Sequence, residues 1–264
     1  MTAETAPPAP DGLPRTPSFR LDGRRALVAG ASSGIGFAAA TALAEAGAEV
    51  TLAARRAAPL QAAVDALRAR GFAAEPLVLD VADIAVTEAA VAGQDAFDVL
   101  VNSAGIARHA PALETAAEDF DAVMALNLRG AYFLTRAVAA RLIDAGRPGS
   151  LINVSSQMGH VGGIDRAVYC ASKHAVEGFT KAMAIEWGAC GIRVNTLCPT
   201  FIRTPLTEGT FADPERRAWI ESKIKLGRVG TVEDLMGAVL YLASDASALV
   251  TGTALTVDGG WTAG

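Results

Sequence analysis

The sequence has few of the features that mark secreted, metal-binding or membrane proteins. Only three cysteines occur in 264 residues. Their odd number and their lack of a metal-ligand spacing indicate reduced thiols in a cytoplasmic protein, without a metal site. No apolar run approaches the ~18 residues that a membrane-spanning helix needs. Residues 1–18 lack the basic and apolar regions of a signal peptide, and their Pro, Ala and Thr content predicts a flexible tail.

Positive charge is not in excess either. The formal net charge is −5 and the sequence pI is about 5.3; both values argue against nucleic acid as a partner. Internal repeats of the solenoid kind are absent from the sequence. Apolar residues make up 51% of the chain, which is ample material for one α/β core at this length.

Short apolar segments alternate with longer helix-like segments along the chain. Strands are predicted near 25–29, 49–54, 75–79, 97–102, 149–155, 192–197 and 254–257. Helices are predicted at about 34–46, 58–70, 84–92, 117–144, 167–188 and 231–244. This alternation predicts an α/β fold, a doubly wound seven-stranded parallel sheet of the Rossmann type with helices on both faces, as a single domain over residues 19–264.

A glycine-rich turn follows the first predicted strand. The order is a strand ending at Ala29, a turn containing Gly30, Gly34 and Gly36, and an alanine-rich helix that ends near Gly47. Glycines allow a tight turn and a close approach of backbone to a pyrophosphate. The N–H groups at the start of the helix then face the phosphate. The turn therefore predicts a dinucleotide site.

Three polar side chains suggest proton transfer at a substrate oxygen. Tyr169 and Lys173 are four residues apart and share one face of a predicted helix, while Ser156 follows a predicted strand. A phenol normally titrates near ~10, and we expect the neighbouring ammonium of Lys173 to lower the pKa of Tyr169. The serine hydroxyl can hydrogen-bond the same substrate oxygen. Such a site moves a proton on or off an alcohol or a carbonyl oxygen.

The Gly-x-x-x-Gly-x-Gly spacing and the Ser–Tyr–Lys trio together resemble the classical short-chain dehydrogenase/reductase family over about residues 20–262. The resemblance implies that Asp80 contacts the adenine amino group and that Asn127 holds a water in a proton relay. It also implies that Pro199, Ile202 and Thr204 bind the nicotinamide carboxamide. The catalytic residues implied are Asn127, Ser156, Tyr169 and Lys173. The cofactor contacts expected are Gly30, Ser32, Ser33, Gly34, Ile35, Gly36, Arg55, Arg56, Asp80, Val81, Asn102, Ala104, Gly105, Tyr169, Lys173, Pro199, Ile202 and Thr204.

Three positions depart from the family pattern. Ala29 replaces a threonine that braces the glycine turn, and Ser103 replaces the second asparagine of an Asn-Asn-Ala-Gly element. Thr200 replaces the glycine after Pro199, so that a side chain is added to the pocket wall. None of these changes removes a group that the reaction requires.

The end of the second strand predicts the choice of nicotinamide cofactor. Enzymes selective for NAD place a carboxylate there to bind the ribose hydroxyls. Here the strand ends in Ala54, and Arg55 and Arg56 follow. A guanidinium can bind a 2′-phosphate with two hydrogen bonds. NADP(H) is therefore the predicted cofactor, with NAD(H) as a possible substitute because Ser33 supplies no second positive charge.

The predicted reaction is the interconversion of a secondary alcohol and a ketone on a small polar substrate, with Tyr169 as general acid and base. Two substrate alternatives stay open, a sugar or sugar-acid (gluconate-type) dehydrogenase and a 3-oxoacyl-thioester reductase. The thioester alternative requires a basic patch for an acidic carrier protein, for which Arg129, Arg166 and Arg203 are the candidates. A non-catalytic nucleotide-binding regulator and an epimerase or dehydratase are more remote alternatives.

Residues 205–230 are predicted to form a lid over the substrate. The pocket candidates are Gln157, His160, Thr200 and Trp219. Of the other histidines, His109 is predicted to be a loop residue and His174 to lie on a helix surface. In the family, the helices predicted at 117–144 and 167–188 form contacts between subunits. A homotetramer without nucleic-acid or membrane partners is therefore expected.

Overall fold

Seven parallel strands form one sheet in the computed structural model, which describes residues 12–264. The strands follow the spatial order β3-β2-β1-β4-β5-β6-β7, and every neighbouring pair is parallel. The strands are β1 Arg25–Ala29, β2 Glu49–Ala54, β3 Ala74–Val78, β4 Val99–Asn102, β5 Gly149–Val154, β6 Ile192–Pro199 and β7 Ala254–Val257. The predicted α/β fold with seven strands is therefore confirmed.

Helices cover both faces of the sheet, as the right-handed connections of parallel strands require. They are α1 Gly34–Glu45, α2 Ala57–Ala69, α3 Ile84–Ala92, α4 Ala117–Met124, α5 Ala131–Asp144, α6 Ala167–Trp187, α7 Glu208–Phe211, α8 Pro214–Lys223 and α9 Glu233–Ala243. No helix among residues 12–264 is both long and apolar enough to cross a membrane.

Alternate residues of the central strands pack into two separate hydrophobic cores, one on each face of the sheet. Val28 and Val101 face the core that α1, α2 and α9 cover, with Leu43, Leu60 and Leu242 fully buried there. Leu27, Leu100 and Leu151 face the opposite core, against Leu134 of α5 and Met183 of α6. Burial on both faces explains why the strands read as nearly continuous apolar runs.

The helix predicted over 117–144 is present without a break, but it is not a regular α-helix along its whole length. A π-helical segment, Ala125–Gly130, separates α4 from α5. Gly130 packs directly against the backbone of Val81, because a Cβ on Gly130 would lie 2.8 Å from the Val81 carbonyl oxygen. Apolar periodicity does not detect this local widening, which is often found at functional sites.

The predicted lid contains two short helices, α7 and α8, that the sequence reading did not anticipate. Its apolar side chains form a small core of Ile220, Ile224 and Val229, against which Phe201 and Trp261 pack. Residues 1–11 of the predicted tail lie outside the described part of the chain. Residues 12–18 are exposed and have no regular secondary structure.

Candidate active site

The turns after β1 and β4 touch each other at the carboxyl edge of the sheet. A Cβ added to Gly30, which has φ = 74°, would lie 2.8 Å from the backbone of Ser103 and Ala104. A Cβ on Gly36 would lie 2.3 Å from the carbonyl oxygen of Gly30. Any side chain at these two positions would force the backbone apart. The glycines therefore hold the first turn of α1 against the strand ends.

The N-terminus of α1 has the features of an anion-binding site. The N-cap residue, Ser33, makes no side-chain hydrogen bond to the first turn, and that turn contains no acidic residue. The first N–H groups of the helix thus lack an internal acceptor, and the helix dipole adds partial positive charge. These groups fit the pyrophosphate of a dinucleotide cofactor.

One cavity of about 470 Å³ connects this helix end with the ends of the other central strands. Most of the predicted site residues line it: Gly30, Ser32, Ser33, Gly34, Ile35, Arg55, Arg56, Asp80, Val81, Ala104, Gly105, Ser156, Tyr169, Lys173, Pro199, Thr200, Ile202 and Thr204. The wall also contains Pro205, Leu206 and Thr207 from the start of the predicted lid, and residues that the sequence reading missed: Leu79, Ile106, Leu126, Val154 and Ser155. Each of these is close in sequence to a predicted site residue, and that proximity was the available signal.

Two arginines lie where the cavity meets the end of β2. Ala54 ends the strand, and Arg55 and Arg56 follow on the cavity wall. Nη1 of Arg55 is 3.9 Å from Oδ2 of Asp80, and both side chains are largely exposed. An exposed pair of this kind is weak, so Arg55 can exchange it for a ligand phosphate at little cost.

The Ser–Tyr–Lys trio lies on the cavity wall between β5 and α6. Lys173 is buried, and its Nζ lies 5.7 Å from the ring centre of Tyr169 and donates to the carbonyl oxygen of Val154 at 2.9 Å. Oγ of Ser156 accepts a hydrogen bond from the backbone N–H of Met158 at 3.1 Å. The Ser156 side chain also acts on the phenol, where it opposes the rise in the pKa of Tyr169. The three groups can therefore act on one substrate oxygen.

Burial raises the pKa of Tyr169 above its ordinary value of 10.0, while the Ser156 side chain and the charge of Arg166 oppose that rise. The expectation that the tyrosine pKa lies below its ordinary value is thus wrong for this structure. Desolvation explains the difference, since the phenolate loses water in the pocket. Burial also lowers the pKa of Lys173 to about 8, although the charges of Cys198 and Glu177 act to raise it.

Asn127 lies behind the cavity wall, within the π-helical segment. Its Oδ1 accepts from the N–H of Ile106, and its Nδ2 donates to the Ile106 carbonyl oxygen, each at 2.9 Å. Nδ2 also lies 3.3 Å from Oγ of Ser172, which in turn donates to the Tyr169 carbonyl oxygen at 2.7 Å. The side chain therefore ties the loop after β4 to α6.

Several other predicted residues also lie off the cavity wall. Gly36 lies beneath the turn that forms the wall, and the Nδ2 of Asn102 donates to Asn153. His160 lies 3.8 Å from the carboxylate of Glu177, which also accepts from Cys198, and the ligand-type atoms of these three residues lie within 4.8 Å of one another.

Trp219 is 45% exposed and packs edge-on against Trp261, so it joins α8 to the C-terminal segment. The side chain of Gln157 is buried, and its amide atoms have no hydrogen-bond partner among the described residues. Neither side chain lines the cavity.

The three arginines proposed for a carrier-protein patch have different surroundings. Arg129 lies in a separate groove with Asp83 and Glu88, where acidic groups offset its charge. Arg203 stacks on Phe211 in the lid. Arg166 is buried and donates to the ring of His109.

His109 is more than the loop residue predicted from sequence, since its ring centre lies 6.2 Å from that of Tyr169. Burial and the charges of Arg166 and Arg216 lower the pKa of His109 to about 4. The imidazole is thus neutral at physiological pH. His174 lies on an exposed helix surface, as predicted, with Nδ1 2.9 Å from the Cys170 carbonyl oxygen.

The Rossmann-type sheet, the glycine turn and the Ser–Tyr–Lys wall define a dinucleotide-dependent oxidoreductase. Residues 30–262 match the family model described as Enoyl-(Acyl carrier protein) reductase. The D-erythrulose reductase of Gallus gallus is 42% identical over 245 residues, which are 93% of this chain and 98% of that protein. The D-threitol dehydrogenase of Mycolicibacterium smegmatis is 42% identical over 250 residues, which are 92% of this chain and 95% of that protein.

A solved structure agrees with these matches. The gluconate 5-dehydrogenase of Burkholderia cenocepacia J2315, in complex with NADP and tartrate, superposes with a TM-score of 0.90 at 40% identity. The alignment covers 93% of this chain and 98% of that one. The chain therefore belongs to the short-chain dehydrogenase/reductase family. It is an NAD(P)-dependent oxidoreductase that interconverts an alcohol and a carbonyl group.

Replacing Gly36 by alanine should damage the cofactor cradle. The new Cβ would lie 2.3 Å from a backbone oxygen, so the turn must open. We expect Gly36→Ala to weaken NADPH binding by about tenfold or more and to destabilise the fold by about 1–3 kcal/mol. Fluorescence titration and thermal unfolding measure the two effects.

The matched control is Gly237→Ala in α9, where a Cβ meets nothing within 4 Å. This variant should bind NADPH normally and be stabilised by about 0.4–1 kcal/mol, because alanine restricts the unfolded chain. Equal NADPH affinity in Gly36→Ala and in the wild type would contradict the role of the glycine turn.

Proposed function

We propose that this enzyme is an NADP(H)-preferring oxidoreductase of small polyhydroxylated substrates, with Tyr169 as its general acid and base. The observation that carries the proposal is the single cavity that joins the α1 N-terminus, Arg55 and the Ser156–Tyr169–Lys173 wall. Relatives named for erythrulose, threitol and gluconate support a substrate with several hydroxyl groups.

Polar atoms near the reacting groups support the same substrate class. Oγ1 of Thr200 and the amide of Gln157 are buried and have no hydrogen-bond partner among residues 12–264. Thr200 lines the cavity, and Gln157 directly follows Ser156. Buried polar groups normally find partners, and a substrate hydroxyl in the cavity can serve as the partner of Thr200.

The mechanism follows from the groups on the wall. In oxidation, Tyr169 as phenolate takes the proton of the substrate hydroxyl while Ser156 hydrogen-bonds the same oxygen. The cavity between the α1 N-terminus and Thr204 would hold the nicotinamide cofactor, which would supply hydride acceptance in oxidation and hydride donation in reduction. In reduction, Tyr169 protonates the developing alkoxide and Ser156 stabilises its charge. Lys173 supplies positive charge close to the phenol, and Asn127 holds the loop after β4 against α6.

Removal of the phenol tests this assignment. We expect Tyr169→Phe to lower kcat by about 10²–10⁴-fold in either direction, since that is the range for loss of a general acid or base. The NADPH dissociation constant should stay within about threefold, a change of less than 1 kcal/mol. The control is Tyr132→Phe, because Tyr132 lies on α5 against Phe133 and Phe179. An active Tyr169→Phe enzyme would refute the mechanism.

Cofactor preference depends on the two arginines after β2. The wild type should bind NADPH about tenfold tighter than NADH or more, because a charge-assisted hydrogen bond contributes about 1.5–3 kcal/mol. Arg55→Ala and Arg56→Ala should each weaken NADPH binding and leave NADH binding nearly unchanged. Arg15→Ala removes the same charge outside the fold and serves as the control. Tighter binding of NADH by the wild type would reverse the assignment.

We also propose a homotetramer. Large apolar side chains are exposed on the helices that the family uses for subunit contacts, among them Phe120, Tyr132, Ile143 and Ile185. Such exposure is typical of a protein interface. Light scattering should give four times the chain mass of 27.0 kDa. Ile185→Glu should give smaller species, since a charge in an apolar contact is costly. A monomeric wild type at micromolar concentration would disprove this assembly.

The cytoplasm is the compartment that we propose. The three cysteines, Cys170, Cys190 and Cys198, are all unpaired thiols. Burial raises the pKa of Cys198 to about 12 and also raises that of Cys170, so both thiols are unreactive. Unpaired thiols are typical of proteins in a reducing compartment.

A further inference from the structure

Two basic side chains, Arg166 and His109, meet beside Tyr169, and the charge of a third, Arg216, acts on both. The mechanism above does not use them to bind substrate. Arg166 directly precedes α6, His109 lies in the loop after β4, and Arg216 belongs to α8. Arg166 is only 9% exposed, donates to the ring of His109, and lies 5.3 Å above the centre of the Phe201 ring.

The two arginines lack the acidic partners that such groups normally have. Among residues 12–264, neither guanidinium forms an ion pair, whereas the neighbouring Arg217 pairs with Glu221. The charge of Asp165 raises the pKa of both Arg166 and His109. The charge of Arg216 has the opposite effect and lowers both pKa values. An arginine stays charged, so Arg166 is a buried cation that also experiences the repulsive charge of Arg216. A buried charge without a partner is strongly unfavourable.

The cluster is close to the reacting groups. The His109 and Tyr169 rings meet edge to face, and Phe201 directly follows Thr200 of the cavity wall. His109 stays neutral, because its pKa is lowered to about 4. The ring can therefore accept from Arg166 with one nitrogen and donate to a ligand with the other. An anion held by His109 and Arg166 would lie beside the Tyr169 ring, although neither residue lines the cavity itself.

The backbone holds the cluster in place. Asp165 has φ = 59°, the only positive φ of a non-glycine residue among residues 12–264. Its carbonyl oxygen accepts from the N–H of Ala110 at 3.2 Å. This bond joins the residue before Arg166 to the residue after His109. The two basic side chains are therefore positioned by directly connected loops.

We propose that Arg166 and Arg216, assisted by His109, bind the carboxylate of the substrate, so that the enzyme acts on sugar acids in preference to neutral ketoses and polyols. The inference rests on the proposed oxidoreductase function and narrows its substrate class. A planar guanidinium matches the two oxygens of a carboxylate. Arg216, on the exposed lid helix α8, supplies a second guanidinium, whose charge acts on both Arg166 and His109.

Substrate pairs that differ only in one terminal group give the sharpest test. D-Gluconate and D-glucitol differ as carboxylate and hydroxymethyl, as do threonate and threitol. The wild type should oxidise the acid of each pair with a kcat/KM about tenfold higher or more, mainly through a lower KM. Arg166→Gln should lower the acid-to-neutral ratio by about 10- to 100-fold, and Arg216→Gln by a smaller factor.

The acid-to-neutral ratio of kcat/KM separates carboxylate binding by Arg166 from the other effects of the Arg166 charge. Arg166 also acts on the pKa of Tyr169, and a change there affects both members of a pair equally. Arg217→Gln, one residue further along α8, is the matched control and should leave the ratio unchanged. An equal ratio in the wild type and Arg166→Gln would overturn the inference, as would a wild-type preference for the neutral substrates.

Binding to the NADPH complex provides a second, independent readout. Calorimetry should show tartrate binding to the wild type and at least about tenfold weaker binding of threitol, its uncharged four-carbon counterpart. Arg216→Gln, a change at an exposed position, should weaken tartrate binding even if Arg166→Gln does not fold. Equal affinity for tartrate and threitol would overturn the carboxylate site. Turnover of neither class with selective tartrate binding would instead refute the proposed reaction and leave the anion site standing.

Discussion

The contact between the turns after β1 and β4 is the constraint on which the site depends. Gly30 approaches the backbone of Ser103 and Ala104 so closely that no Cβ fits between them. Because β1 and β4 are adjacent at the point where the strand order reverses, their ends leave a crevice above the sheet. The close contact brings the α1 N-terminus and the Ser–Tyr–Lys wall onto a single cavity.

Buried positive charge is the second organising feature. Lys173 is buried in the cavity wall and donates to the Val154 carbonyl oxygen, and the charge of the buried Arg166 also acts on Tyr169. The phenol therefore has two cations near it in a pocket that otherwise disfavours its ionised form. This balance makes the protonation state of Tyr169 sensitive to the charge of whatever binds there.

Much of this site was predictable from local sequence patterns. The strand boundaries followed from buried apolar runs, and the glycine turn and Tyr169–Lys173 spacing indicated which strand ends carry function.

Other features depended on packing between distant segments. His160 turns toward Glu177 and Trp219 packs on Trp261, although both were expected at the pocket. The π-helical segment around Asn127 likewise follows from tertiary contacts, including the close packing of Gly130 on Val81.

The sequence by itself determined the sheet, the cradle for a dinucleotide and the chemical groups of the reaction, because these depend on periodicity and on spacing within one turn or helix. Only the tertiary structure decided which charges surround the phenol. Arg166 and Arg216 are fifty positions apart and His109 is further still, so nothing in local patterning connects them. Their meeting depends on how the loops after β4 and β5 and the lid helix pack. Burial in that packing also sets the pKa values of Tyr169, Lys173 and His109.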